Sequence, residues 1–198
     1  MLTGIRDLDE KILNDLPDED LVNACRVDTK ADEICHDQMF WMNRILTRFP
    51  KVGLDILKKY KKNRSWSDYY IYDLRKINRS NAENYLERGS MDGRMDHVII
   101  ALGLGANIHR ANDMAVRMAS LYNHLDIVKY LVGKGADITA TNNFSVRVAS
   151  RQGYLEIVKY LVENGADIHA DNDAAVKWAH SRKHSKVVDY LISQGAVL

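Results

Sequence analysis

Apolar positions in the C-terminal part of this chain return every 30 residues: Leu125, Val128 and Leu131, then Leu155, Val158 and Leu161, then Val188 and Leu191. Within one unit, the side chains at 125, 128, 131 and 132 form a single stripe on a helix. Gly105-Ala106, Gly135-Ala136, Gly165-Ala166 and Gly195-Ala196 follow at the same interval, each glycine supplying the left-handed residue that ends a helix. A shorter helix is expected over 115–120, 145–150 and 175–181, where Ala119, Ala149 and Ala179 let two helices approach closely. Asn112-Asp113, Asn142-Asn143 and Asn172-Asp173 precede it, as residues that cap helices and form turns. A fixed period of this size marks a stacked repeat array. It favours recognition over catalysis, because a solenoid presents a long surface of equivalent positions and not one converging pocket.

The N-terminal pattern is different. Leu8, Ile12, Leu13 and Leu16 mark one helical face, Pro17-Asp18 breaks it, and Leu21, Val22 and Cys25 begin another. Ile34, Cys35, Phe40, Trp41, Ile45 and Phe49 make a third apolar set. Such a small unit buries little surface, so it needs an apolar partner or the adjoining array. Between the two regions, Lys58-Lys59-Tyr60-Lys61-Lys62-Asn63-Arg64 precedes Trp66, Tyr69, Tyr70 and Leu74. The run reads as a solvated helix end, with the rings packing against the first repeat. Its alternative reading is nuclear import or nucleic-acid binding, with tyrosines stacking on bases.

The segments Gly-Ala-Asp-Ile-Thr-Ala at 135–140, Gly-Ala-Asp-Ile-His-Ala at 165–170 and Gly-Tyr-Leu-Glu-Ile-Val-Lys-Tyr-Leu-Val at 153–162 resemble the ankyrin repeat. The resemblance covers residues 76–198 and implies an all-α solenoid of about four helix-turn-helix units: a degenerate 76–105, then 106–135, 136–165 and 166–198. Two departures stand out. The period is 30 where ankyrins usually have 33, which implies shorter fingers. The family's Thr-Pro-Leu-His is replaced by Met114-Ala115-Val116-Arg117, Phe144-Ser145-Val146-Arg147 and Ala174-Ala175-Val176-Lys177, removing the usual hydrogen-bonding scheme at the first helix. Units this short are similar to those of giant-DNA-virus ankyrin proteins.

Residues 1–49 resemble an F-box, through Ile12-Leu13-x-x-Leu16, Asp20-Leu21, Cys25-x-Val27 and Ile34-Cys35-x-Asp37-x-x-Phe40-Trp41. The resemblance implies docking on the Skp adaptor of a cullin ubiquitin ligase through Ile5, Leu8, Ile12, Leu13 and Leu16. Gly4-Ile5 stands where the family has Leu-Pro, and Ala31 where an aromatic is expected. Residues 50–75 are then a basic and aromatic helical connector. For the array, resemblance implies that finger tips and first-helix ends contact a target protein. Those positions are Arg110, Asp113, Met114, Leu121, Tyr122, Asn143, Phe144, Arg151, Gln152, Asp173 and Arg182.

Composition narrows the function classes. The formal net charge of +1 gives no global field for nucleic acid or anionic membrane, and the only prolines are Pro17 and Pro50, as suits a helical chain. No apolar run is long enough to span a bilayer, and the N-terminus lacks a signal peptide's apolar core. Cys25 and Cys35 lie on apolar stripes, where buried free thiols are expected, with a reducing, cytoplasmic setting. His180 and His184 are spaced i, i+4 but have no third ligand nearby, and Gly103-Leu104-Gly105 holds two glycines of a phosphate loop at a repeat turn. No catalytic, metal or cofactor site is expected. The resulting expectation is an adaptor joining a captured target to a ligase, or alternatively an ankyrin-only scaffold.

Overall fold

The computed structural model describes residues 16–27 and 33–198, and every regular element among them is helical. They divide into two compact units, one ending at Asn78 and one beginning at Arg79.

The first unit contains α1 (Asp18–Val27), a short helix at 33–35, α2 (Gln38–Arg48), α3 (Leu54–Lys61) and α4 (Trp66–Asp68), which runs into a π-helical turn, Tyr69–Leu74. Its core takes Leu21, Ile34, Phe40, Trp41, Ile45 and Phe49 from the apolar sets seen in the sequence. Asp37 caps α2 by accepting the Met39 N–H at 2.8 Å. The Trp41 indole N–H donates to the Cys35 carbonyl at 2.6 Å. Residues 50–75 fall in the same compact unit as α2. Trp66, Tyr69, Tyr70 and Leu74 are buried, and the Tyr70 ring lies 5.6 Å from that of Trp41. Arg48 donates to the Tyr70 hydroxyl and, at 3.0 Å, to the Arg75 carbonyl. These rings meet one another and α2 within the N-terminal unit.

The thiol expectation is overturned. Cys25 and Cys35 are joined by a disulfide, with their Cα atoms 5.8 Å apart. Apolar stripes show that both positions turn inward but not that α1 and the 33–35 helix bring them face to face. The pairing removes the cysteine argument for a reducing compartment, since disulfides persist where the surroundings are oxidising. A ten-residue separation closes a short loop. Reducing the bond is therefore expected to cost roughly 2–3 kcal/mol of first-unit stability by loop-closure entropy. Hydrogen exchange in α2 with and without reductant checks this. Two free thiols in the denatured, unreduced protein would refute the pairing.

The second unit is a two-layer stack. Its helices are α5 (Ala82–Asp92), α6 (Met95–Gly103), α7 (Arg110–Leu121), α8 (Leu125–Gly133), α9 (Ala140–Gln152), α10 (Leu155–Glu163), α11 (Ala170–Ser181) and α12 (Ser185–Ser193). The first helices α5, α7, α9 and α11 pack in series, and the second helices α6, α8, α10 and α12 do likewise. Leu131, Leu161 and Leu191 are fully buried. Ala119, Ala149 and Ala179 are also fully buried, as close helix approach requires. In the first pair Gly89 takes that place, and an added Cβ there would lie 2.9 Å from the Cβ of His97. Ser90, Ser120 and Ser150 turn their hydroxyls back on the carbonyls of Leu86, Val116 and Val146 at 2.8, 2.8 and 2.7 Å. That bond satisfies a polar group buried between helices.

Candidate functional site

Each of α7, α9 and α11 begins with an unusual backbone. Residues 111–113, 141–143 and 171–173 all lie in the left-handed region, with φ between 51° and 58°. Three such residues in a row form a single left-handed turn, closed by an N–H to carbonyl bond from Asn143 to Thr139 at 2.8 Å and from Asp173 to His169 at 3.1 Å. Left-handed geometry costs roughly 1–2 kcal/mol for an ordinary residue and least for Asn and Asp, whose side chains bond locally. Asn112, Asn142 and Asn172 hold the middle position every time. These turns replace the fingers that the sequence expects to be short.

Two side-chain ladders hold the turns. Asp113 accepts the Asp137 N–H and Asn143 the Asp167 N–H, both at 2.8 Å, and Asp173 accepts the Val197 N–H at 3.2 Å. Each bond ties one unit to the next. The Val197 N–H, opposed by burial and assisted by His169, keeps the Asp173 carboxyl below the usual carboxylate range. The second ladder stays within a unit: Arg117 donates to the Ala111 carbonyl at 2.8 Å, Arg147 to that of Thr141 at 3.3 Å, and Lys177 to that of Asn172 at 2.7 Å. The hydrogen bonding lost with Thr-Pro-Leu-His is thus supplied by an Asp or Asn that ends each left-handed turn and a basic residue four places beyond it.

This scaffolding sorts the expected contact residues. Asp113 and Asn143 are buried, each with its side chain engaged in the ladder. Asp173 is half-buried and bonded to His169 as well as Val197. Arg110 is tied to Glu83 at 3.2 Å and Glu87 at 3.5 Å. Phe144 lies beneath the Arg117 guanidinium, 5.5 Å from ring centroid to charge, and is half-buried. Leu121 is half-buried, while Tyr122, Arg151, Gln152 and Arg182 are exposed. Tyr122 retains 47% of its surface, a large apolar ring at a position the core does not use.

Met114 opens onto a feature that the sequence reading missed. Between α5 and α7 runs a groove of about 560 Å³, floored by Met91, Met114 and Met118 and edged by Asn84, Glu87, Arg88 and Asp92. Flexible, polarisable thioethers adapt to varied apolar partners. The available signal was three methionines on two neighbouring first helices, but only stacking shows that they converge.

In the N-terminal unit, Ile5, Leu8, Ile12 and Leu13 lie outside the described residues. Leu16 is half-buried, and its carbonyl accepts from Arg44 at 2.7 Å. Part of the basic run is engaged within the unit. Lys61 stands over Trp66 at 5.3 Å, and Arg64 binds Asp73 at 2.8 Å and stands over Tyr69 at 5.3 Å.

Among the described residues no group of His, Cys, Asp and Glu could hold a metal ion, and no helix is long and apolar enough to cross a membrane. No curated protein matches the chain. Residues 116–198 match the ankyrin-repeat family model in three copies. With paired helices stacked in two layers over that same stretch, residues 116–198 are ankyrin repeats.

Proposed function

We propose that this protein is a protein-binding adaptor whose ankyrin array captures a target on the first-helix face and whose N-terminal unit recruits the Skp adaptor of a ubiquitin ligase. The observation that carries the binding half is the methionine groove between α5 and α7, together with Tyr122 and Arg151 exposed near the C-terminal ends of α7 and α9. Aromatic and arginine side chains concentrate binding energy in such interfaces. The ligase half rests on the residue order of the F-box resemblance, together with helices at 18–27, 33–35 and 38–48. The similarity to giant-virus proteins makes an infected host cell the natural source of both partners.

One observation favours a scaffold with no ligase link. The Cys25–Cys35 disulfide lies within the F-box-like block, C-terminal to the residues that would meet the adaptor, and disulfides persist in oxidising surroundings, where cytosolic ligases do not act. Affinity capture with the full chain separates the readings. Replacing Tyr122, Phe144 and Arg151 together by Ala is expected to weaken target capture at least tenfold, the sum of truncating a few anchoring contacts. Replacing Ile5 and Leu8 by Asp is expected to abolish Skp binding alone, because charges in a desolvated interface lack partners. Capture unaffected by the triple change would refute the face. Wild-type protein that retains its target but never Skp is the scaffold.

A further inference from the structure

The array uses most of its cations to hold itself together. Arg88 pairs with Asp92, Arg94 with Asp96, Arg110 with Glu83 and Glu87, Arg147 with Asp171, and Lys159 with Glu156. Arg117, Lys129 and Lys134 stand over aromatic rings, and Lys177 donates to a turn carbonyl. Apart from Arg79 at the unit's first residue, the exceptions gather in one place. Arg182 and Lys183 form the turn between α11 and α12, and Lys186 lies in the first turn of α12. The His184 ring bonds the Arg151 carbonyl at 3.1 Å, which brings the end of α9 to the same turn. Arg151, Arg182, Lys183 and Lys186 are all exposed, and among the described residues no ion pair engages them; nor does one engage Asp189, three residues beyond Lys186.

A second, independent observation concerns the backbone. Lys183 has φ +63°. The equivalent turn positions carry Gly93, Asn123 and Gly153, also at positive φ, and these are the residue types that tolerate it. A long side chain is kept here against its conformational preference. Strain of this kind, at an exposed position with no packing role, points to function.

We propose that the turn formed by Arg151, Arg182, Lys183 and Lys186 docks an acidic polypeptide segment, rich in Asp or Glu, of the protein captured by the array. The inference rests on the array's reading as a protein-binding surface and names the chemistry of part of the partner. Four uncompensated cations on a chain of net charge +1 form a local field that an acidic segment complements. Single-stranded nucleic acid fits less well, because its binding grooves add exposed rings on which bases stack. The nearest indole, Trp178, is half-buried and covered by the Arg147 guanidinium at 5.2 Å.

The test uses the full chain and a fluorescein-labelled oligoglutamate peptide, with single-stranded oligothymidylate of matched charge as competitor. Saturable peptide binding is expected, weakening as salt rises. Changing Arg182, Lys183 and Lys186 together to Glu is expected to lower affinity about tenfold or more, whereas Lys129→Glu and Lys134→Glu on the second-helix side leave it unchanged. Lys183→Gly guards against misfolding. It relieves the strained φ, so the protein is at least as stable, yet the peptide should bind roughly threefold more weakly. Oligothymidylate binding more tightly than the peptide, absence of saturable peptide binding, or unchanged affinity in both patch variants would each overturn the proposal. Because Tyr122, Phe144 and Arg151 are left intact, such a failure is distinct from failure of target capture on the first-helix face.

Discussion

Leu161→Ala is expected to cost roughly 2–5 kcal/mol, the usual range for truncating a fully buried leucine whose surroundings relax only in part. Leu161 has no exposed surface, and it lies in α10, with α8 on one side and α12 on the other. Its backbone adds to this position, since the Leu161 carbonyl accepts the N–H groups of Ala166 at 2.9 Å and Asn164 at 3.2 Å. A cavity here loosens both the α9–α10 pair and its interface with the last pair. In a stacked array each unit contacts only its neighbours, so the loss stays local before it becomes global. Hydrogen exchange should show α11 and α12 losing protection first, with amides of residues 33–78 unaffected. Val162→Ala, half-buried one residue further on, should cost well under half as much. Uniform loosening across all described residues would contradict the nearest-neighbour account.

The array was legible because stacking repeats one environment every 30 residues. Each position that must be apolar, small or left-handed leaves the same residue type at the same interval: Leu131 and Leu161, Ala119 and Ala149, Gly135 and Gly165. What escaped was chemistry between units. Asp113 and Asn143 sit beside turns and are short and polar, so by local rules they read as exposed tips. Their partners, the N–H groups of Asp137 and Asp167, lie 24 residues away and become neighbours only when units stack. The basic column Arg117, Arg147 and Lys177 was visible as a departure from the family, but its purpose depends on the left-handed turn it braces. The methionine groove was hidden for a similar reason, since Met91 belongs to a different helix from Met114 and Met118. In the N-terminal unit, apolar periodicity placed Cys25 and Cys35 inward but carries no information on which helix faces which. Non-repeating segments offer one example of each contact, and a single example cannot reveal a pairing.

Gly153 and Gly165 separate two costs that a glycine can hide. Both have positive φ, +81° and +95°, so alanine at either site should lose roughly 1–2 kcal/mol to backbone strain. At Gly165 nothing lies within 4 Å of the added Cβ, and strain is the whole effect. At Gly153 the Cβ would lie 2.6 Å from His184 Nδ1 and 2.8 Å from its Cε1 and Cγ. The ring must therefore move, and it gives up the 3.1 Å bond from its other nitrogen to the Arg151 carbonyl, a contact joining consecutive units. Losing that bond adds about 1 kcal/mol, so Gly153→Ala should fall short of wild type by roughly 2–3 kcal/mol. Urea unfolding of the two single variants should reproduce this order. A second copy of the device exists at Gly93, where His124 stacks and reaches the Met91 carbonyl at 3.0 Å. The contribution of the clash can be isolated by a cycle with His184→Ala. Once the ring is gone, Gly153→Ala should cost no more than Gly165→Ala, and the deficit in additivity measures the stitch between units. Equal losses for Gly153→Ala and Gly165→Ala in the presence of His184 would show that the histidine yields freely and holds nothing.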